Sequence, residues 1–524
     1  MKNRLIKALP WVILVAAYLF SLTYWGLYGA HNLNSDDSAE MILASQLNAE
    51  GKIISDEWFY STELRLVSPV QVYQMTLRIF PDNWHAARTL ASALIMAALA
   101  CCVLYAAYGL GLRKSAPWIA TVFVLPFCGV YSWLAIYQCH YCAHIGLSLL
   151  QLGMLTRCMR PQSKHKRVAL YAGLIALAFV GGLNGVRILM MFVAPVLLAE
   201  AATAALACCN HATFREAGNE PETRAFFPAL ALAASACAGY LINMKILSSR
   251  YTYYNYGLES LQAFKVSDVL RQLDGIAVML GYQAGAPFFS LKGISGCIAL
   301  LLVVLFFLGL FRMLSRWKEL SAPLRLLVMT TLFAVALGMA LTVMLGQMLA
   351  RYYLVGILLL MITLAAAIET EPCKNEMLRA MAGLAVVGCL LYQTGCGMLY
   401  GYHQGKVNYE MAADWLLEHG YTQGYASYWN AYTIEEASNG RITMRALDTG
   451  NWAEPEVFAM NSSKFRVREE PEGPVFLLVD EIENLEQTPL LDKAYLATEK
   501  MIGWSYYIYV YDSVDQMRAL AAED

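Results

Sequence analysis

The side chains best suited to chemistry are acids and bases that lie at one end of a series of long apolar segments. A carboxylate can serve as a general base toward a hydroxyl. Arg and His can hold a phosphate and stabilise the charge that grows on it as it leaves. The combination suits transfer from a phosphate-activated donor. The candidates are Asp36, Asp37, Glu57, Glu63, Arg65, His140, His144, Asn184, Arg187, Lys245, Arg250 and Arg351.

Each candidate also has a structural alternative. Asp37, or Ser38 beside it, fits the N-cap of a helix over SAEMILASQLNAEG, but two adjacent acids leave one spare, and Asp36 is then the better general base. His140 and His144 have the i, i+4 spacing of metal ligands, yet no third ligand is evident nearby, which favours a hydrogen-bonding or phosphate-binding role. Arg187 and Arg351 could extend to the membrane interface, and Glu57 and Glu63 could be solvated loop acids.

The elements that position these residues are membrane spans. The chain has 524 residues, 58% of them hydrophobic and 15% charged, with a mean hydropathy of +0.45, which is far outside the soluble range. A membrane helix needs about 20 apolar residues. That rule predicts eleven spans, at residues 10–29, 86–110, 116–134, 137–156, 168–183, 186–207, 226–246, 293–311, 322–345, 352–368 and 378–400.

Charge fixes the predicted orientation of the spans, since Lys and Arg mark cytoplasmic loops. Basic residues at 157–167 and 312–325 place both of those loops inside. Only an even number of spans fits between two cytoplasmic loops, so residues 168–207, which GGLNG interrupts, must form a hairpin of two spans. The N-terminus is then cytoplasmic. Three segments face outward: residues 30–85, residues 247–292 and the tail after residue 400.

The outward segments differ in character. The first two each contain an amphipathic helix, the second near SDVLRQLDGIAVML, suited to lying over the mouth of the bundle. The tail, residues 401–524, predicts a soluble α/β domain with a mostly parallel sheet and one antiparallel edge, separate from a transmembrane domain over 1–400. With no Gly-rich phosphate loop and no metal-spaced cluster, the tail is not expected to carry chemistry.

Charge and cysteine content exclude several classes of protein. The tail holds 21 Asp and Glu against 9 Lys and Arg, whereas residues 1–400 hold 19 against 29, a division that argues against a nucleic-acid partner. All 13 cysteines lie between Cys101 and Cys396, in or beside apolar spans, which is no disulfide framework. The Cys139–Cys142 CxxC has no second pair and is interpreted as helix packing. Neither a cofactor nor a metal is expected.

Four stretches carry a resemblance to a known family. They are SDDSAEMILASQLNAEG, WFYSTELRLVSPVQVY, GLNGVRILMMFVAP and ARYYLVGILLLMITLAAA. With the layout of spans and outer segments, they resemble the GT-C membrane glycosyltransferases, including the protein mannosyltransferases and aminoarabinose transferases. The likeness implies a catalytic acid early in the first outer loop, here Asp36 or Asp37, and an Arg near the donor's lipid phosphate, here Arg351. The chain departs from the family pattern in having Asp-Asp where Asp-Glu is usual, and in lacking a Pro after the Arg-Tyr pair.

The family resemblance implies transfer of a sugar from a polyprenyl-phosphate carrier to an acceptor outside the cytoplasm, with inversion. We expect a bacterial plasma-membrane enzyme that acts on a cell-envelope polymer, lipid or protein. Its donor phosphate is expected at Arg65, Arg187 or Arg351, with Glu57, His140 and His144 as further substrate-binding residues. Two alternatives remain open at this point: a flippase for a lipid-linked sugar, against which the lack of internal repeats argues, and a catalytically inactive scaffold.

Overall fold

The protein is mainly helical. The computed structural model describes residues 2–29, 33–137, 141–210, 221–254, 274–344, 350–371, 376–401, 407–448, 457–480, 495–499 and 506–522. Within these ranges, eight helices are long and apolar enough to cross a membrane, or nine if the bent pair Ala116–Val124 and Gly129–Ile136 forms one span. The chain is therefore a multi-pass membrane protein, as its composition predicts.

The helices of the membrane part follow the predicted apolar segments closely. Their bounds are α1 Lys2–Tyr28, α4 Trp84–Leu110, α5 Ala116–Val124, α6 Cys142–Cys158, α7 Lys164–Gly182, α8 Ala194–Asn210, α9 Phe226–Lys245, α10 Leu291–Ser315, α11 Ala322–Met344, α12 Leu354–Thr370 and α13 Glu376–Gly401. The predicted count of eleven spans is not confirmed. The helix α6 has only 17 residues, and α7 begins with Lys-His-Lys-Arg, so neither meets the requirement for a long apolar span.

The segment GGLNG interrupts the helices where the sequence predicts a hairpin. Helix α7 ends at Gly182, and Gly185 has φ +95°, a conformation that favours glycine. Helical structure resumes at Val186 as one turn, Val186–Ile188, followed by a π-helical segment, Leu189–Val193, that leads into α8. The break brings Asn184 and Arg187 to the same end of the bundle as the first outer loop.

The first outer loop contains two helices, α2 Ser35–Glu50 and α3 Pro69–Leu77. The predicted cap of α2 was wrong, because the helix begins three residues earlier than expected. Asn34 is the N-cap: its side chain accepts a hydrogen bond from the Asp37 amide, and the Asp37 carboxylate accepts one from the Asn34 amide. Gly51, with φ +65°, ends the helix as predicted.

The three segments that are predicted to face outward meet at one end of the bundle through a small sheet. Strand β1 (Trp58–Tyr60) of the first loop lies between β2 (Thr252–Tyr253) of the second loop and β5 (Ser462–Ser463) of the tail. The register pairs Phe59 with Thr252 and with Ser462. The first half of the helix predicted near SDVLRQLDGIAVML, residues 267–273, lies outside the described residues, and residues 274–278 of its second half are helical.

The tail contains α14 Asn408–Glu418, α15 Tyr428–Ala437, a short helix Lys464–Arg468 and α16 Val514–Ala522. Its main sheet has strands β3 Gln423–Ser427, β4 Thr443–Leu447, β6 Val475–Asp480, β7 Tyr495–Glu499 and β8 Tyr506–Tyr511, in the order β4-β3-β6-β8-β7. Strands β4, β3 and β6 are parallel, and β8 is antiparallel to both its neighbours. The antiparallel strand therefore lies inside the sheet, because β7, which the sequence did not predict, covers it.

The tail shares a hydrophobic core with the first outer loop. One cluster of buried side chains joins Met41 and Ile42 of α2, Trp58 of β1 and Trp84 of α4 to residues of α14, α15 and the main sheet. A larger cluster fills the membrane bundle. The division of the chain at residue 400 stays a prediction, but the two parts meet through a packed apolar contact, not through a linker alone.

Candidate active site

A cavity of about 1090 Å³ lies where the bundle, the first outer loop and the tail meet. Charged residues line it at several points, amid apolar and aromatic side chains. The charged lining residues are Asp36, Glu40, Glu63, Arg65, Arg187, Arg351 and Asp448. The cavity thus brings together four of the eight predicted site residues, although these four span more than 300 positions of sequence. They are Asp36, Arg65, Arg187 and Arg351.

Asp36 lies half-buried on the cavity face of the first turn of α2. Its Oδ1 accepts a hydrogen bond from the hydroxyl of Tyr428 at 2.5 Å, and the Tyr428 hydroxyl in turn accepts one from Asn461 Nδ2 at 2.9 Å. Tyr428 and Asn461 also line the cavity. Asp36 therefore belongs to a hydrogen-bonded chain that leads from the outer loop into the tail.

Asp37 lies in a different environment, although it is the next residue. Its side chain is 1% exposed and does not line the cavity. Burial raises the pKa of the Asp37 carboxyl well above its usual range, and Arg88 opposes this effect. The Arg88 guanidinium donates to the Asp37 carbonyl oxygen at 2.9 Å and forms a buried ion pair with Glu436 of α15 at 2.6 Å. Asp37 thus belongs to the contact between bundle, loop and tail.

Three guanidinium groups and one hydroxyl form the cationic part of the cavity. The Nε atoms of Arg65 and Arg351 and the hydroxyl of Tyr141 are buried and have no hydrogen-bond acceptor among the described residues. The Arg187 guanidinium lies 5.4 Å from the Tyr141 ring centre. All four side chains line the cavity. Donors left without acceptors in this way are costly unless a ligand supplies the acceptors.

The charge around Arg65 is only partly compensated. Burial, followed by the nearby charge of Arg187, lowers the pKa of Arg65, while Glu63 and Glu40 act in the opposite direction. The contact between Arg65 and Glu40 is long, at 3.8 Å. Glu63 is buried, and its carboxylate accepts a hydrogen bond from the Val186 amide at 3.2 Å. It is therefore a fixed part of the site and not a solvated loop acid.

The remaining predicted site residues lie elsewhere. Glu57 is outside the cavity lining, with a side chain 54% exposed and 3.6 Å from Arg468. His144 is buried in α6, with its ring centre 5.8 Å from that of Tyr141, one layer behind the cavity wall. His140 lies outside the described residues. Asn184 holds the backbone of Val67 through two hydrogen bonds of 2.8 and 2.6 Å, which is a structural contact.

The tail supplies a part of the site that the sequence does not predict. Tyr428, Trp429, Phe458 and Asn461 all line the cavity, and Trp429 is 61% exposed within it. Their sequence context has no motif that signals chemistry, and Tyr428 lies 392 positions from Asp36. In the described part of the chain, no group of three or more His, Cys, Asp or Glu residues is arranged to hold a metal ion.

Comparison of the whole fold defines its class. ArnT from Cupriavidus metallidurans bound to undecaprenyl phosphate superposes with a TM-score of 0.56 at 12% identity, covering 95% of this chain and 98% of that one. The apo state of ArnT gives 0.53 at 10% identity, covering 99% and 100%. An Archaeoglobus fulgidus oligosaccharyltransferase in complex with Zn and sulfate gives 0.50 at 14%, covering 89% and 68%. The chain has the GT-C fold of membrane glycosyltransferases.

The similarity is confined to three-dimensional structure. No protein-family model and no curated protein sequence matches the chain. At 10–14% identity the superpositions establish the fold, and the chemistry must be argued from the cavity itself.

Proposed function

We propose that this protein is a glycosyltransferase that moves a sugar from a polyprenyl-phosphate carrier to an acceptor outside the cytoplasm. The observation that supports this most strongly is the group of Arg65, Arg187 and Arg351 beside Tyr141, in which buried donors of Arg65, Arg351 and Tyr141 lack acceptors among the described residues. A phosphate diester or monoester would supply several acceptor oxygens and negative charge at once. ArnT, which shares the fold, has been crystallised with undecaprenyl phosphate.

Asp36 is the proposed general base. It lines the same cavity as the three arginines, and its electrostatic effect reaches Arg187. The carboxylate would accept the proton of an acceptor hydroxyl while the acceptor oxygen forms a bond to the anomeric carbon of the sugar. The bond from that carbon to the phosphate oxygen breaks, and its electron pair leaves with the polyprenyl phosphate. The arginines would stabilise the charge that develops on the phosphate.

The cellular setting follows from the same proposal. The three outward segments and the cavity would lie on the extracytoplasmic face of a bacterial plasma membrane, with the N-terminus in the cytoplasm. The acceptor would be a polymer, lipid or protein of the cell envelope. Support comes from the meeting of residues 58–60, 252–253 and 462–463 in one small sheet, since that contact requires all three segments to lie on one side of the membrane.

The test is sugar release from synthetic undecaprenyl-phosphate-linked pentoses and hexoses by the purified protein, with water or a membrane lipid extract as acceptor. We expect Asp36→Asn to lower turnover on the order of a thousandfold, as loss of a general base does. Asp56→Asn is the matched control, because Asp56 is an exposed acid of the same loop that pairs with Lys52. Full turnover in Asp36→Asn would exclude Asp36 as the base, and no release from any donor would overturn the proposed activity.

A further inference from the structure

A hydrogen-bonded chain connects the tail to the proposed base. Asn461 Nδ2 donates to the hydroxyl of Tyr428 at 2.9 Å, and that hydroxyl donates to Asp36 Oδ1 at 2.5 Å. A hydroxyl that accepts one hydrogen bond becomes a better donor in the next. Asn461 therefore both orients the Tyr428 proton and strengthens its bond to the carboxylate.

The Tyr428 side chain has little freedom to leave this position. It is the first residue of α15 and is 7% exposed, with the rings of Tyr432 and Phe458 edge-on at 5.6 and 5.4 Å. Helix α15 is attached to α2 by the Tyr432 amide, which donates to Ser35 Oγ at 3.3 Å, and to α4 by the buried ion pair of Arg88 with Glu436. The tail thus holds the hydroxyl over Asp36 through contacts that do not involve the hydroxyl itself.

Asn461 is placed by its backbone. Its φ of +54° is in the left-handed region, which Asn tolerates better than most residues. The residue directly precedes β5, whose pairing with β1 ties this part of the tail to the first outer loop. The amide donor and the carboxylate therefore rest on segments joined by the same small sheet.

We propose that Tyr428 is a positioning residue for Asp36, and that the tail thereby completes the site. This inference rests on the proposed function. Among the described residues, Tyr428 is the one hydrogen-bond donor to the Asp36 carboxylate, and it occupies Oδ1, which leaves Oδ2 for the acceptor. The bond is charge-assisted, and it fixes the direction in which the free oxygen points.

The Tyr428 hydroxyl is suited to remain a hydrogen-bond donor to Asp36 during the whole reaction. Burial, together with the adjacent Asp36 carboxylate, raises the pKa of Tyr428 well above its usual range. Several other charged groups share the electrostatic environment of Asp36. They are Asp37 and Glu40 on α2, Glu63 and Arg65 on the first loop, Arg187 and Arg351 at the ends of membrane helices, and Asp448 on the tail.

The test is carbodiimide labelling of the full-length protein across a pH series, because a carbodiimide reacts with the protonated carboxyl. Fragment mass spectrometry separates labelling of Asp36 from labelling of Asp37. In Tyr428→Phe the carboxylate loses a charge-assisted donor, so we expect the labelling midpoint of Asp36 to rise by about one pH unit. Asn461→Gly keeps the left-handed backbone and removes the donor to Tyr428 without adding a charge, and the rise should be smaller.

Tyr432→Phe is the matched control. It makes the same change one turn further along α15, at a buried tyrosine outside the cavity lining. Size-exclusion profiles and undecaprenyl phosphate binding, unchanged from wild type, would show that the variants fold. We expect Tyr428→Phe to lower the turnover number and leave lipid affinity unchanged, with the rising limb of the pH–rate profile moved up by the same unit.

Two outcomes separate this inference from the proposed function. An Asp36 midpoint equal in Tyr428→Phe and Tyr432→Phe would overturn the positioning role, whatever the activity. The second outcome is a shifted Asp36 midpoint in Tyr428→Phe together with full turnover in Asp36→Asn. It would confirm the interaction of Tyr428 with Asp36 but overturn Asp36 as the general base, so that the interaction would have no catalytic role.

Discussion

The cavity has two groups of polar residues that differ in how their hydrogen bonds are satisfied. Around Arg65, Arg351 and Tyr141, buried donors have no acceptors within the described structure. Around Asp36, the hydroxyl of Tyr428 and the amide of Asn461 form a complete chain of donors and acceptors. The cationic group is therefore built for a ligand that brings its own negative charge, while the Asp36 group is already organised before any ligand binds.

Adjacent acids repeat this contrast on a smaller scale. Asp36 faces the cavity, whereas Asp37 closes a capping box and lies buried beside Arg88. A helix turns by about 100° per residue, so neighbours in its first turn face different surroundings. Helix geometry therefore gives the two acids separate roles. Substitution of Asp36 should change activity, whereas substitution of Asp37 should change stability.

The largest effect on lipid binding is expected at the cationic group. Arg187→Gln combined with Arg351→Gln removes two charged donors, each worth about 1.5–3 kcal/mol to a bound anion, so affinity for undecaprenyl phosphate should fall at least a hundredfold. Native mass spectrometry or intrinsic fluorescence titration measures it. Arg78→Gln is the control, since Arg78 is a surface residue of the same end of the molecule that binds Asn48 and not the cavity. Equal loss in the control would remove the case for a specific phosphate site.

The next effect concerns the buried ion pair that holds the tail against α4. Arg88→Met leaves Glu436 buried without its partner, which typically costs about 3–5 kcal/mol. We expect the apparent Tm in detergent to fall by about 5–10 °C. The double variant with Glu436→Leu should recover part of that loss, because an apolar pair replaces the ion pair. A double variant no more stable than Arg88→Met would contradict this explanation.

A smaller effect on lipid binding is expected from Gly185→Ala. The new methyl group would overlap the Glu63 carboxylate, which must then move away from the Val186 amide and from the arginines. We expect about a tenfold loss of undecaprenyl phosphate affinity. Gly285→Ala carries a similar backbone strain, at φ +77° against +95°, but its methyl group meets no described atom within 4 Å. Equal losses in the two variants would assign the effect to strain alone.

The smallest effect is predicted at Asp37. Since burial raises the pKa of its carboxyl, the folded protein retains a proton that the unfolded chain releases. That contribution to stability is complete at pH values below the ordinary Asp pKa and is lost as the pH rises through the raised pKa. Asn cannot ionise, so Asp37→Asn should flatten the decline of Tm as the pH rises above the ordinary Asp pKa and raise Tm at the alkaline end of the series by about 2 °C. Parallel declines in variant and wild type would contradict this.

Local patterns were enough to predict much of the membrane part. Hydropathy located the helices, GGLNG marked the break at Gly185, and charge placed Arg187 and Arg351 at the end of the bundle where the cavity lies. Asn34 followed by Asp37 is itself a capping-box pattern, and this pattern, rather than a cap at Asp37 or Ser38, marks the true start of α2.

Contacts between distant segments could not be predicted in the same way. The bond from Tyr428 to Asp36 depends on how α15 packs on α2, and that packing depends on one buried ion pair and a shared apolar core. No periodicity or spacing in a single sequence encodes a pairing of residues 392 positions apart. For this reason the sequence predicts no chemistry in the tail, and it does not predict strand β7, which is short and polar at its ends, as the edge of the sheet.

The most direct test measures undecaprenyl phosphate binding and sugar release on the same preparations of two variants, Asp36→Asn and Arg187→Gln with Arg351→Gln. Separate roles predict that Asp36→Asn binds the lipid as wild type does while releasing sugar about a thousandfold more slowly. The double arginine variant should lose lipid binding. An Asp36→Asn protein that loses lipid binding as severely as the arginine variant, or that keeps full turnover, would contradict the division of the cavity into a phosphate-binding part and a general base.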